Sequence, residues 1–360
     1  MNADIRGPVL TDEEKKKKKI KKIIFIILFV VLNGVVLFFT ARADFSKKAP
    51  DTMPQFTFIN ILYLLGALVC VVIVLMCETV KYLLMMKHLG EKPSFRVAFE
   101  TAALGKYYDS ITPSGAGGQP FQIWHLHSNG YSDGASSAMP LGGFVTMQFG
   151  FVFLCLLSFI FGAKYINVVG IQILSYVGAF TYTIVPVLIV LSAVKPSAAV
   201  ALVSFFVKIG AKLRLIKNKD ETMKNVNEKI ADYSKSLRTI AKSKLLLFEL
   251  MALSVLFQAA VCSIPFFVIG LFGGKIGFFA SLCMTVYVYA SVTIVPTPGN
   301  SGAAEGSFYL LFEQLDTAGL FWAMLVWRVL CYYSFILTGV IIYGKNALLK
   351  IIKRKKKDAA

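Results

Sequence analysis

Apolar residues run along this chain in long blocks, separated by short basic stretches or by clusters of proline and glycine. Six uninterrupted blocks, at about 20–40, 56–80, 138–162, 169–194, 245–270 and 320–343, reach the roughly 20 residues that a helix needs to cross a bilayer core of about 30 Å. Two further segments are broken. Residues 95–108 have a helical pattern and run into Asp109-Ser-Ile-Thr-Pro-Ser-Gly-Ala-Gly-Gly-Gln-Pro120, after which 121–128 resume. Residues 277–295 likewise meet Pro296-Thr-Pro-Gly-Asn-Ser-Gly302 before 303–315 resume. No continuous helix tolerates such runs, because proline removes a donor and glycine carries the largest entropic cost.

Charge orients these elements. Lys15 to Lys22, the segment 195–244 with twelve Lys/Arg against four Asp/Glu, and Lys345 to Lys357 flank apolar blocks. Membrane insertion retains such blocks in the cytoplasm. The last span must then run inward. The broken segment 277–318 therefore starts and ends outside, while 95–128 starts and ends inside. The expected fold is an all-α membrane protein with about six spanning helices and two oppositely oriented re-entrant helical hairpins, as in inverted-repeat transporters. The expected organisation is a basic cytoplasmic tail at 1–19, a polytopic membrane domain at 20–344 and a basic cytoplasmic tail at 345–360, giving a multi-pass protein of the cell membrane. The apolar run ending at Ala41-Arg42-Ala43 is longer than a signal-peptide core and is expected to stay as an uncleaved helix. Within 195–244, Leu202, Phe205, Phe206, Ile209, Leu213 and Ile216 form one apolar face, and Met223, Val226, Ile230, Tyr233, Leu237 and Ile240 another. The first suits a helix lying in the membrane interface, and the second an amphipathic helix that packs nearby.

Composition sharpens this picture. Hydrophobic residues make up 56% of the 360 residues and charged residues only 16%, too little polar surface for a water-soluble fold of this size. The net charge of +18 sits beside the spans, where anionic head groups attract it, and leaves no folded module for nucleic acid. All six cysteines lie inside apolar runs without a C-x-x-C, so they read as small apolar residues. His125 and His127 lack partners at metal-ligand spacing and read as interfacial polar residues. No nucleophile triad, P-loop or dinucleotide fingerprint is present, so neither a catalytic centre, a metal nor a cofactor is expected.

The candidate chemistry lies at the two breaks. Irregular backbone at membrane depth persists only where protein buries it or a wet cavity borders it. The glycines of Thr112-Pro113-Ser-Gly-Ala-Gly117-Gly118-Gln119 let other atoms approach the main chain, and amides freed at the following half-helix favour an anion. Pro298-Gly299-Asn300-Ser-Gly302 repeats the recipe. Three ionisable residues stand out: Asp109 before the first break, Glu305 after the second, and Arg328 near the centre of the last span. An arginine there costs about 2.5–3.5 kcal/mol on insertion scales unless paired. Glu305 is its candidate partner. A structural ion pair tying the second hairpin to the last helix competes with a role in holding a lipid phosphate.

Tyr108-Asp109-x-x-Thr112-Pro113 with Gly117-Gly118-Gln119-Pro120, Pro298-Gly299-x-x-Gly302-x-x-Glu305, and Arg328 followed by Tyr332-Tyr333 resemble the motifs of the flippase-like membrane family related to the transmembrane part of lysylphosphatidylglycerol synthase, the multiple peptide resistance factor. The resemblance covers about 20–345. Many members carry Gly-Glu and a nearby arginine in the first motif; Gln119 and Gln122 stand there in this chain, as in the Gly-Gly-Gln-Pro branch of Gram-positive bacteria. The resemblance implies movement of a phospholipid, such as an aminoacylated phosphatidylglycerol, between leaflets, with anionic or aminoacylated phospholipids as partners beside a homo-oligomer or a separate lipid-modifying enzyme. Its substrate-binding set would be Asp109, Thr112, Pro113, Gly117, Gly118, Gln119, Pro298, Gly299, Asn300, Gly302, Glu305 and Arg328. The alternatives are a phosphatidylglycerol lysyltransferase, whose soluble synthase domain is not expected from the basic segment after Tyr343, and a small-solute carrier or membrane scaffold.

Overall fold

The structure is a computed structural model and describes residues 57–112, 115, 117–194, 234–293, 295, 297, 299–313 and 319–345. Every regular element among the described residues is helical. In chain order these are α1 (Phe58–His88), α2 (Phe95–Ile111), α3 (Gly118–Ser128), α4 (Asp133–Phe161), α5 (Val169–Val194), α6 (234–242), α7 (Lys244–Leu271), α8 (Phe278–Ser291), α9 (Ala303–Phe312) and α10 (Leu320–Lys345). A 3-10 turn, Ala163–Tyr165, joins α4 to α5, and a π turn, Val329–Tyr333, interrupts α10.

Five of these helices, α1, α4, α5 (as Val169–Leu191), α7 and α10, are long and apolar enough to cross a membrane. They coincide with five of the six spans expected from sequence. The first expected span, the basic tails and most of the 195–244 loop lie outside the described residues. Large apolar side chains line the outer faces of the bundle, among them Leu62, Leu65, Val69 and Val72 on α1 and Phe180 and Leu188 on α5. A helix apolar on its outer as well as its inner face suits a lipid environment.

Local chemistry sets the helix starts. Ser94, Ser132 and Ser243 accept hydrogen bonds from the N–H groups of Val97, Ala135 and Leu246, which open α2, α4 and α7. A serine at this position satisfies one of the donors orphaned at a helix start. Pro140, Pro186 and Pro265 sit inside α4, α5 and α7; neighbouring helices make such breaks in the ladder tolerable in membranes.

Among the described residues, two core clusters tie most of the helices together. Tyr82, Met85, Ala98, Leu126, Ala135, Leu237, Ile240 and Leu250 gather α1, α2, α3, α4, α6 and α7. Leu237 and Ile240, from the end of the second amphipathic pattern of the basic loop, are buried in this cluster. Phe151, Leu154, Ala179, Cys262, Val286 and Ala290 join α4, α5, α7 and α8. α5 approaches α8 so closely that a Cβ at Gly178 would lie 1.9 Å from the carbonyl oxygen of Ala290. Small residues permit this approach, which drives helix association where lipid supplies no hydrophobic force.

One boundary differs instructively. The sequence places the end of the second span near Glu78 and Lys81, with residues 81–96 at the cytoplasmic side. α1 instead continues to His88 and buries both residues. The Lys81 amine lies 2.5 Å from Glu78 Oε1 and donates to the Gly143 carbonyl and the Ser254 hydroxyl at 3.4 and 3.3 Å. Pairing at i,i+3 neutralises the two charges, and α4 and α7 supply the remaining acceptors.

Candidate functional site

Both expected breaks are present: α2 and α3 flank the first, α8 and α9 the second. In the second, the main chain leaves α8 at Ser291 and re-enters a helix at Ala303. Gly299, Asn300 and Gly302 adopt positive φ of 58°, 54° and 92°, a region that glycine enters freely and asparagine more readily than most residues. The Asn300 N–H donates to the Thr297 carbonyl at 3.0 Å, and the Thr297 hydroxyl to the Ser301 carbonyl at 2.9 Å. Glu305, in the first turn of α9, reaches back so that its Oε2 accepts from the Gly302 N–H at 2.7 Å. Its Oε1 accepts from Arg328 Nε at 2.5 Å. Both Arg328 Nη atoms donate to the Gly299 carbonyl at 3.3 Å, and the Trp327 and Tyr332 rings lie 5.4 and 5.1 Å from the guanidinium carbon. Glu305 and Arg328 are 2% and 4% exposed. One carboxylate thus caps a half-helix and neutralises an arginine that itself holds the break's carbonyl.

The first break uses similar parts differently. α2 runs three residues past its expected end, to Ile111, and Thr112 caps it. The Thr112 hydroxyl donates to the Tyr108 carbonyl at 2.7 Å and accepts from the Gly117 N–H at 2.9 Å. Asp109 Oδ1 accepts from the Gly118 N–H at 3.0 Å. The amides at the start of α3, which the sequence suggested would face an anion, therefore meet oxygen atoms of the chain itself. The approach is close: a Cβ at Gly118 would lie 2.2 Å from Asp109 Oδ1.

Tyr332 connects the two breaks. Its hydroxyl donates to the Ser110 carbonyl at 3.1 Å, across 222 residues of sequence, while its ring lies against Gly299, where a Cβ would sit 2.0 Å from Cε2. Between the breaks is a cavity of about 280 Å³. Asp109, Ser110, Gly115 and Gln119 border it on one side, and Gly299, Asn300, Arg328 and Tyr332 on the other. Lys106 of α2, Met147 and Gln148 of α4, Tyr182 of α5, Phe257 and Gln258 of α7 and Tyr289 of α8 complete much of the wall. A larger hollow of about 430 Å³ opens beside Tyr63 and Lys275, and neither break borders it.

Of the residues singled out from sequence, Asp109, Gln119, Gly299, Asn300 and Arg328 face this cavity. Thr112, Gly117, Gly118, Gly302 and Glu305 build the breaks behind it. Pro113 and Pro298 lie outside the described residues. Sequence reading passed over Lys106, Gln148 and Gln258, although Gln148 and Gln258 lie inside long apolar blocks, where an amide side chain is a usable signal. The two histidines part company. His127 is exposed and 2.8 Å from Asp133 Oδ1, whereas His125 is buried, 3.9 Å from Glu100 Oε2. An interfacial reading fits only the first of them.

No curated protein matches the chain. The model of one protein family, described as "Lysylphosphatidylglycerol synthase TM region", matches residues 22–339. Five apolar helices, two helix–break–helix pairs meeting at one cavity and that match across most of the chain agree: this membrane-embedded helical protein belongs to the family of the lysylphosphatidylglycerol synthase transmembrane region.

Proposed function

We propose that the chain is a lipid transporter that moves a phospholipid between leaflets, with the head group held between the two breaks. The observation that carries this reading is the cavity bordered by both breaks. Polar groups converge there from α2, α3, α4, α7 and α10. Membrane proteins keep irregular backbone and polar side chains where a substrate path needs them. Discontinuous helices meeting near the midplane are the arrangement by which transporters bind substrate and alternate access.

In this reading the α2–α3 and α8–α9 pairs are re-entrant hairpins that enter from opposite faces, and both termini are cytoplasmic. Anionic or aminoacylated phospholipids are the proposed cargo, and the cell membrane the proposed location. Rocking of one hairpin against the other would open the cavity to each leaflet in turn.

Purified protein in vesicles carrying a fluorescent phosphatidylglycerol should speed its exposure in the opposite leaflet well above protein-free vesicles. Equal rates with and without protein would remove the transport reading. Phosphatidylglycerol supplied with charged lysyl-tRNA should yield no lysyl-lipid, and formation of that lipid by this chain alone would replace transport with synthesis. Cysteines introduced at Asn2, Asn218 and Asp358 should label from the cytoplasmic side only, and one at Lys275 from outside only. External labelling at 358 would eliminate the second re-entrant hairpin.

A further inference from the structure

The cavity contains two cations in very different states. Arg328 has committed Nε to Glu305 and both Nη atoms to the Gly299 carbonyl, so its charge is matched and much of its donor capacity is used. Lys106 is not matched. Its ammonium lies 3.9 Å from the Met147 sulfur and 4.5 Å from the centre of the Phe257 ring. No ion pair includes it among the described residues. A thioether is a weak acceptor and a ring face offers only a cation–π contact, while an ammonium has three donors to place. Such a cation, on a helix inside a membrane protein and facing a cavity, is poised for an anion.

Resting on the transport reading above, we infer that Lys106 is the residue that contacts the head group's oxyanion, and that the ligand is a monoanionic phosphodiester. The restriction to one negative charge comes from Asp109, three residues further along α2. Its carboxylate faces the same cavity with Oδ1 on the Gly118 N–H. With Glu305 and Arg328 closed on each other, Lys106 and Asp109 are the open charges. A phosphodiester oxyanion on Lys106 brings one negative charge beside Asp109, and a dianionic phosphate monoester brings two, so Asp109 disfavours the dianion more strongly. The side-chain amides of Gln119, Gln148 and Asn300 on the same wall offer donors that carry no charge.

The test is binding to the purified full chain in detergent. The probes are dioctanoyl phosphatidylglycerol, dioctanoylglycerol, glycerophosphoglycerol and inorganic phosphate. Wild type should bind the phosphatidylglycerol best. Lys106→Gln should weaken that binding roughly tenfold or more, the scale of a lost charge-assisted hydrogen bond. Lys106→Arg should keep it within about threefold, because the charge and donors remain. Binding of dioctanoylglycerol should be indifferent to both changes. Met147→Glu provides an independent arm: it leaves the lysine in place but sets a carboxylate against its amine, and should weaken phosphatidylglycerol binding comparably. If Lys106→Gln gives no folded protein, this arm decides.

Undiminished phosphatidylglycerol affinity in Lys106→Gln or Met147→Glu overturns the assignment of Lys106 and leaves the transport reading standing. Equal losses for dioctanoylglycerol also overturn it, since they mark a packing role. Glycerophosphoglycerol binding as tightly as the lipid, with the same dependence on Lys106, keeps the lysine's role and overturns the lipid as cargo. Inorganic phosphate binding best of all overturns the monoanion assignment. A wild-type chain that binds neither lipid removes the transport reading and this inference together.

Discussion

The two breaks follow one recipe and reach different electrical states. Each has glycines, and each uses a carboxylate to cap a half-helix. At the second break the carboxylate also holds Arg328, and the arginine holds the Gly299 carbonyl, so the charges close on themselves at the cavity wall. At the first break Asp109 caps α3 without a basic partner in hydrogen-bond reach among the described residues, and Lys106, three residues earlier on α2, sets its amine against the Met147 sulfur and the Phe257 ring rather than in an ion pair. The contrast separates scaffold from contact. Charges that are mutually satisfied fix geometry, whereas charges left open are available to a ligand.

The largest expected effect tests the closed side. Arg328→Gln leaves Glu305 buried without its cation, and Glu305→Gln leaves Arg328 without its anion. Each should cost about 3–5 kcal/mol, the usual penalty for breaking a buried pair. The double mutant should recover part of that loss. Thermal melting of the four proteins in detergent, read as a double-mutant cycle, measures the coupling; additive losses would show that the pair does not act as a lock.

Glycine substitutions come next and should separate the two breaks again. Gly299→Ala adds a methyl group at φ 58°, directly against the Tyr332 ring. A rigid ring and a disfavoured dihedral together should cost about 1–3 kcal/mol. Gly118→Ala meets a carboxylate tip that rotates aside, so its loss should be smaller and Asp109→Ala should relieve it. Melting temperatures of the three single mutants and the 109/118 double mutant decide this; equal losses at 118 and 299 would erase the contrast.

The bridge between the breaks should matter less. Tyr332→Phe removes the hydroxyl that bonds the Ser110 carbonyl and should cost about 1 kcal/mol, the scale of a buried hydrogen bond. Asp109→Asn keeps an acceptor for the Gly118 N–H and should change stability by less than about 1 kcal/mol. Its effect belongs in binding: without the repelling carboxylate, inorganic phosphate should bind better than to wild type. A melting temperature that falls as far for Asp109→Asn as for Arg328→Gln would place both breaks in the structural class.

Much of this architecture was legible one residue at a time. The five described spans, the two interruptions and the basic blocks follow from lengths of apolar sequence and from proline and glycine, which act locally on the backbone. The Glu305–Arg328 pair was legible too, because each charge is rare enough in an apolar surrounding to demand a partner. Glu78 and Lys81 were misplaced for the converse reason: a charged pair after a long apolar run looks like a helix reaching water, and only α4 and α7, which supply Gly143 and Ser254, make the site buried. The link from Tyr332 to Ser110, the π turn after Arg328 and the gathering of Lys106, Gln148 and Gln258 around one cavity follow from no pattern of neighbouring residues. Sequence determined which segments are apolar and where helices stop, since those are properties of neighbouring residues. Tertiary packing decided which charges are buried and what completes them, because the Gly143 and Ser254 oxygens at Lys81 and the Gly299 carbonyl at Arg328 arrive from other parts of the chain.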